Sequence, residues 1–188
     1  MEGRGSCRAD SYRQRATRQE SHPPRIFLNM ATDLHDLAKT DDQLATELAD
    51  AVRAVGAKEG SILLLTPSGQ ALRFAVCSAD TAAQLIDTQQ PVTRGVVGLV
   101  ASFQQPTVTN KLAGDPQHDP SVDVKVGSTT RSQMAVPLSD AEHEFGVVTA
   151  INSSRADGFT NDDLQRYLTA AKAITTRLAE LAGGPARA

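Results

Sequence analysis

The sequence predicts an α+β domain, a central antiparallel sheet with helices at both ends of the chain. Three observations lead there. Apolar runs come in adjacent pairs, "SILLLT" with "ALRFAVC" and "SQMAVPL" with "EFGVVTAIN", each pair joined by a few turn-forming residues. Amphipathic stripes of helical period flank these runs at either end. Strands joined by hairpins pair antiparallel, which favours this class over a doubly wound parallel sheet. The chain of 188 residues suits one domain with a full core and is short for two.

Residues 1–29 show neither helical nor strand period, and Pro23-Pro24 interrupts them. They are expected to be a disordered tail. Its first 25 residues carry six arginines against three acids, a net charge of +3. Met30 opens the first periodic segment and is a candidate translation start. The domain is expected over 30–183, with 184–188 as a short second tail.

From about Asp33 to Val55 the residues Leu34, Leu37, Leu44, Leu48, Val52 and Val55 form one stripe, so a single helix is predicted, ended by Gly56. His35 stands one step off that face and is expected to be solvated. "PSGQ" closes the first hairpin, and "SADTAAQLIDTQQ" has room for a short helix. Gly95 to Phe103 packs as a helix and "QPTVTN" reads as a brief strand. After it, turn-formers, two Asp-Pro dipeptides and a histidine make a long loop of the kind that covers something. Pro137 cannot donate to a ladder, so its strand lies at an edge, bulge or strand end. The last helix begins at a capping box, Thr160 with Asp163, with Phe159 and Leu164 as a hydrophobic staple. Its stripe runs Leu164, Tyr167, Leu168, Ala171, Ile174, Leu178, Leu181, and Gly183-Gly184-Pro185 stops it.

Composition removes several function classes. Aromatic residues make up 4% of the chain, with no tryptophan, which argues against a stacking platform for single-stranded nucleic acid. Outside the basic tail the net charge is −6, so the body lacks the cationic face that duplex phosphates require. The two cysteines, Cys7 and Cys77, form no framework, which fits a reducing cytoplasm. No apolar run is long enough to span a bilayer, and no apolar segment follows the N-terminal arginines as in a signal peptide.

The pieces "GAKEGSILLL", "RGVVGLVASFQQPTVTN", "DPQHDPSVD", "RSQMAVPL", "FGVVTAIN" and "FTNDDLQRYLTAA" together resemble, in order and spacing, a GAF domain, over about residues 32–181. The resemblance implies terminal helices on one sheet face and, on the other, shorter helices and loops that roof a ligand pocket. The roof would be 110–127. It further implies a small-molecule sensor whose terminal helices pack into dimer bundles.

Two subfamilies can be compared residue by residue. Cyclic-nucleotide GAF domains carry an Asn-Lys pair, then a Phe, then Asp-Glu. Here Asn152, Phe159 and Asp163 match, but Ser153 and Leu164 replace the Lys and Glu, so the ion pair to Asp163 is expected to be missing. The GAF-like free methionine sulfoxide reductases need several thiols around the pocket, because a second cysteine must resolve a sulfenic acid. Val97 stands in the cysteine position of "GVVG", and Thr149 and Ile151 stand where that family has acids.

The resemblance therefore implies a regulatory, non-catalytic, cytoplasmic module binding an unidentified small organic ligand. The candidate ligand-binding residues are Phe74, Val97, His118, Asp119, Arg131, Gln133, Thr149 and Ile151. Arg131 has two readings, an anion clamp at the pocket mouth or a partner for Asp119 or Asp123. No catalytic residue, metal or cofactor is expected; His118 with Asp115 and Asp119 lacks the spacing of a metal site. The expected partners are a second copy of the chain, through the terminal helices, and a separate output protein, with neither membrane nor nucleic acid. The alternative is a dimerisation module whose pocket is filled by Val97, Met134 and Ile151. A reductase with a noncanonical thiol, Cys77, comes third.

Overall fold

The computed structural model describes residues 33–78, 82–112 and 120–183. The two tails, and His118 and Asp119 with the rest of 113–119, lie outside them. Two short helices lead, α1 (Leu34–Lys39) and α2 (Asp42–Ala54), followed by strands β1 (Ala57–Leu65) and β2 (Ala71–Cys77). Next come α3 (Ala82–Leu85), β3 (Gln89–Pro91), α4 (Gly95–Phe103), β4 (Thr107–Thr109) and α5 (Ser121–Val126). Strands β5 (Gln133–Ser139) and β6 (Glu144–Ser153) precede the long α6 (Asn161–Leu181).

One six-stranded sheet has the order β3-β2-β1-β6-β5-β4, and every pairing is antiparallel. The central strand β6 is buried over nearly its whole length, which explains why "FGVVTAI" reads as a continuous apolar run rather than an alternation. The pleat sends alternate residues to opposite faces. Ile62, Leu64, Met134, Val136, Val148 and Ala150 meet α2 and α6 in one core. Leu63, Phe74, Ala135 and Val147 meet α4 and Leu112 in a second core on the other side. This is the expected α+β arrangement, with terminal helices on one face and short helices on the other.

The first predicted helix is two. Thr40 closes α1, and Asp41 caps α2 by accepting the Leu44 N–H at 2.8 Å. The apolar stripe runs through this break, so periodicity could not reveal it. Asp41 also takes the Arg177 guanidinium of α6, Nη2 at 2.7 Å and Nε at 3.2 Å, which locks the first and last long helices together. The hydrogen bond from Arg177 outweighs the opposing effect of burial and holds the Asp41 carboxyl below the usual range. Arg177→Met is expected to lower unfolding free energy by about 1.5 kcal/mol, the size of a charge-assisted hydrogen bond. A urea midpoint unchanged from wild type would refute the clamp.

His35 corrects a second expectation. It is not solvated but 2% exposed, with Nε2 2.8 Å from the Phe74 carbonyl oxygen. A carbonyl only accepts, so Nε2 carries the hydrogen and donates. The helix break turns the start of the chain so that this residue, one step off the stripe, faces β2.

The covering segment also differs from a plain loop. Ser121–Val126 forms a short helix, α5, ended by Gly127 at φ +64°. Its alternation of polar and apolar residues carries no helical period. The three-residue strand β3 is likewise too short to leave a pattern.

Candidate functional site

The register of the sheet builds the site in rows. Three cross-strand rows face α4 and α5. Phe74, Leu63 and Val147 form the first. Cys77, Ser61, Thr149 and Ala135 form the second. Glu59, Ile151 and Gln133 form the third. Polarity thus rises along the strands, from an apolar floor, through hydroxyls and a thiol, to a carboxylate and an amide. A bulge between Ile62 and Leu63 keeps both Phe74 and Cys77 on this face, with Ala75 turned to the helix side.

Over these rows lies a cavity with about 70 Å³ open to the centre of a water-sized sphere. Helix α4 closes one wall with its first turn, Gly95 to Val97, where Gly95 has φ +68°. The roof side is Val122, Asp123, Val126, Ser128 and Thr130. Gln90 lies in the lining and spends its amide N–H on the Arg94 carbonyl at 3.2 Å.

The described part of the roof is tied down at three places. The Asp123 carboxylate accepts from the Thr130 N–H at 2.8 Å and from its hydroxyl at 2.7 Å. Lys125 donates to Thr88 Oγ1 at 2.6 Å, joining α5 to the end of α3. Asn152, at φ +57°, accepts the Arg131 N–H at 2.9 Å and donates to the Thr129 carbonyl at 3.1 Å. Its role is to hold the segment that follows the roof.

Of the candidate residues, Phe74, Val97, Gln133, Thr149 and Ile151 come together around this cavity. Arg131 is exposed and stands outside the lining. Met134, a proposed pocket filler, is buried in the opposite core beneath the terminal helices. Sequence reading missed Glu59, Ser61 and the place of Cys77. The signal was present: Glu59, Ser61 and Leu63 are two apart and share a strand face, but Ala57–Gly60 were not read as strand, and Ser61, inside "SILLLT", was not assigned to the pocket face.

The charges of the lining have one sign. Glu59 and Asp123 are acids, and no Lys, Arg or His is among the described lining residues. The Glu59 side chain is 16% exposed, with Lys58 Nζ at 3.7 Å. Cys77 is the free cysteine among the described residues, 3.5 Å from the Ser61 hydroxyl, and burial pushes its thiol pKa up. A raised thiol is a poor nucleophile. No group of three or more metal-ligating side chains occurs among the described residues. No described helix is long and apolar enough to cross a membrane.

A family model for the GAF domain matches residues 38–174. The chain belongs to the GAF-domain family. No curated protein matches the sequence. Among solved structures, the GAF domain of an Acinetobacter phosphoenolpyruvate-protein phosphotransferase is similar with TM-score 0.62 at 16% identity, covering 81% of this chain and 86% of that one. The second GAF domain of DevS from Mycobacterium smegmatis gives 0.60 at 16% identity, over 74% and 93%. The free methionine-R-sulfoxide reductase of Neisseria meningitidis, solved with its substrate, gives 0.61 at 22% identity, over 80% and 86%. At these identities the likeness is one of fold, and GAF domains in general are ligand-binding and regulatory modules.

One expectation drawn from the cyclic-nucleotide GAF domains is overturned. Asp163 does have cationic partners: Arg155 reaches its carboxylate from the preceding turn, and Arg166 approaches at 3.3 Å. Ser153, in the place of the Lys, instead donates to the Gly158 carbonyl at 3.1 Å. The Asp163 ion pair in this chain therefore anchors the capping box of α6.

Proposed function

We propose that this GAF domain is a non-catalytic sensor that binds a small organic molecule between the sheet and α4–α5 and signals through its terminal helices. The observation that carries the reading is the graded cavity itself, which lies on the sheet face away from the terminal helices and is lined by polar groups that a collapsed core would not keep. A dimerisation module with a filled pocket would place apolar side chains there, yet Ser61 and Thr149 stand in the second row and Gln133 in the third.

Two contacts connect the cavity walls to the helices. His35 of α1 donates to the carbonyl of Phe74, a wall residue. Val52 of α2 lies so close over Gly60 that a Cβ there would be 2.4 Å from Val52 Cγ2. Gly60 sits between the wall residues Glu59 and Ser61. A ligand that shifts β1 or β2 thus bears directly on α1 and α2, and it selects one helix arrangement by its differential affinity for the two. The output surface is the outer side of α2 and α6, which suits a homodimer and a separate output protein.

The reductase reading draws on the likeness to the Neisseria enzyme. It asks for thiols that this lining does not supply: Cys77 is half-buried with a raised pKa, and Val97 occupies the position of a second. The test is native mass spectrometry of the protein isolated from its own cells, followed by denaturation. A small molecule released at one per protomer from a dimer is expected. Loss of methionine sulfoxide in the presence of a thiol reductant, abolished by Cys77→Ser, would overturn the non-catalytic reading.

A further inference from the structure

We propose that the cavity selects a compact organic amine, with its ammonium at Glu59 and its apolar body over Leu63, Phe74 and Val97. The inference rests on the sensor reading and names the chemical class of its ligand. Three features of the lining converge on it. The first is charge: Glu59 lines the space and no cation is among the described lining residues, so an anionic ligand would meet repulsion from Glu59. The second is the state of Glu59. Its side chain is mostly buried, and Lys58, its near cation at 3.7 Å, is itself 72% exposed. A positive group entering from the cavity can approach the carboxylate more closely than Lys58 does.

The third feature is the direction of the polarity gradient. Glu59 and Gln133 sit in the same cross-strand row, with Ile151 between them. The Gln133 amide can accept a second N–H from a group held at Glu59. Across the next row, Ser61 and Thr149 offer hydroxyls, and beyond them the wall is Leu63 and Phe74 against Val96 and Val97. A molecule with one cationic end and one apolar end matches that order and fits in one orientation. Its size follows from the cavity: about 70 Å³ is several times the roughly 10–15 Å³ that one water needs, which is room for a handful of heavy atoms. Nucleotides are excluded by volume, and smaller phosphates are disfavoured by the sign of Glu59.

An isosteric series separates the charge from the shape. The full chain is titrated with 3-methylbutylammonium chloride, 3-methylbutanol and sodium 3-methylbutanoate, at one ionic strength. Binding is read by calorimetry, and its place by shifts of the Val97, Thr149 and Ile151 methyl resonances. The ammonium compound is expected to bind about tenfold or more tightly than the alcohol, and the carboxylate not to bind. Glu59→Gln is expected to remove that tenfold advantage, and a melting temperature close to that of wild type shows that the variant is folded. A carboxylate that binds as well as the amine, an amine affinity that survives Glu59→Gln, or no binding by any of the three overturns the proposal. Release of a non-amine ligand from the native protein would overturn the amine and leave the sensor standing.

Discussion

Replacing Asp163 with alanine is expected to cost about 3 kcal/mol of unfolding free energy, read from urea denaturation. Its carboxylate is 1% exposed and accepts from the Thr160 N–H at 2.8 Å, the Thr160 hydroxyl at 2.8 Å, Arg155 and Arg166. Loss of half a capping box costs about 1 kcal/mol, and loss of charge-assisted hydrogen bonds about 2 more. The freed arginines are half exposed, so they return to water and add little. Burial by itself would raise this carboxyl. The Thr160 hydrogen bonds and the Arg155 charge outweigh it and hold the group below the usual carboxylate range. The sign of the pH effect follows. The stabilisation is complete above the unfolded value of about 4 and is lost as the pH falls from there through the folded value. The gap between wild type and Asp163→Asn should therefore narrow below about pH 4. A loss under about 1 kcal/mol for the alanine variant would mean that α6 starts without help from Asp163.

Gly146→Ala is expected to destabilise the sheet at its centre by about 3 kcal/mol or more, lowering Tm by roughly 6–12 °C. A Cβ at this position would lie 2.0 Å from the Leu63 carbonyl oxygen and 2.9 Å from Leu64 Cα. Both are backbone atoms of β1, so nothing can rotate away and the two central strands must part. Gly127 supplies the contrast. A Cβ there meets nothing within 4 Å, and only its φ of +64° opposes substitution, so Gly127→Ala should cost about 1 kcal/mol. Equal losses for the two variants would show that strand separation is not the dominant effect.

The fold was legible where apolar residues recur with a period. The stripe from Leu164 to Leu181 and the turn after "SILLLT" specify α6 and the first hairpin, because each is satisfied by local spacing. The break at Thr40–Asp41 was not legible, since the stripe crosses it and the deciding partner, Arg177, is 136 residues away. The site was half legible. Phe74, Gln133, Thr149 and Ile151 lie on segments read as strands, where the pleat sends every second residue to one face. Ser61 opens the predicted strand "SILLLT" on the same face, while Glu59 precedes it in a polar stretch whose burial depends on α4 and α5 arriving over it. Arg131 stands outside the lining: its backbone serves Asn152 and Leu112, and the residue is exposed.

The rows that line the cavity join the two halves of the chain. Ser61 and Thr149 are neighbours in the sheet and 88 residues apart in sequence. The hairpins β1–β2 and β5–β6 each close over a short turn and can zip early. Bringing β1 beside β6 closes a long loop, and that late, entropically costly docking is the natural slow step of folding. Neither hairpin contains the cavity: Phe74 and Ser61 come from one, Gln133 and Thr149 from the other. A molecule that binds there recognises only the assembled chain, so it slows escape from the native state without hastening arrival. Occupancy would then be written into the lifetime of the domain as much as into its shape.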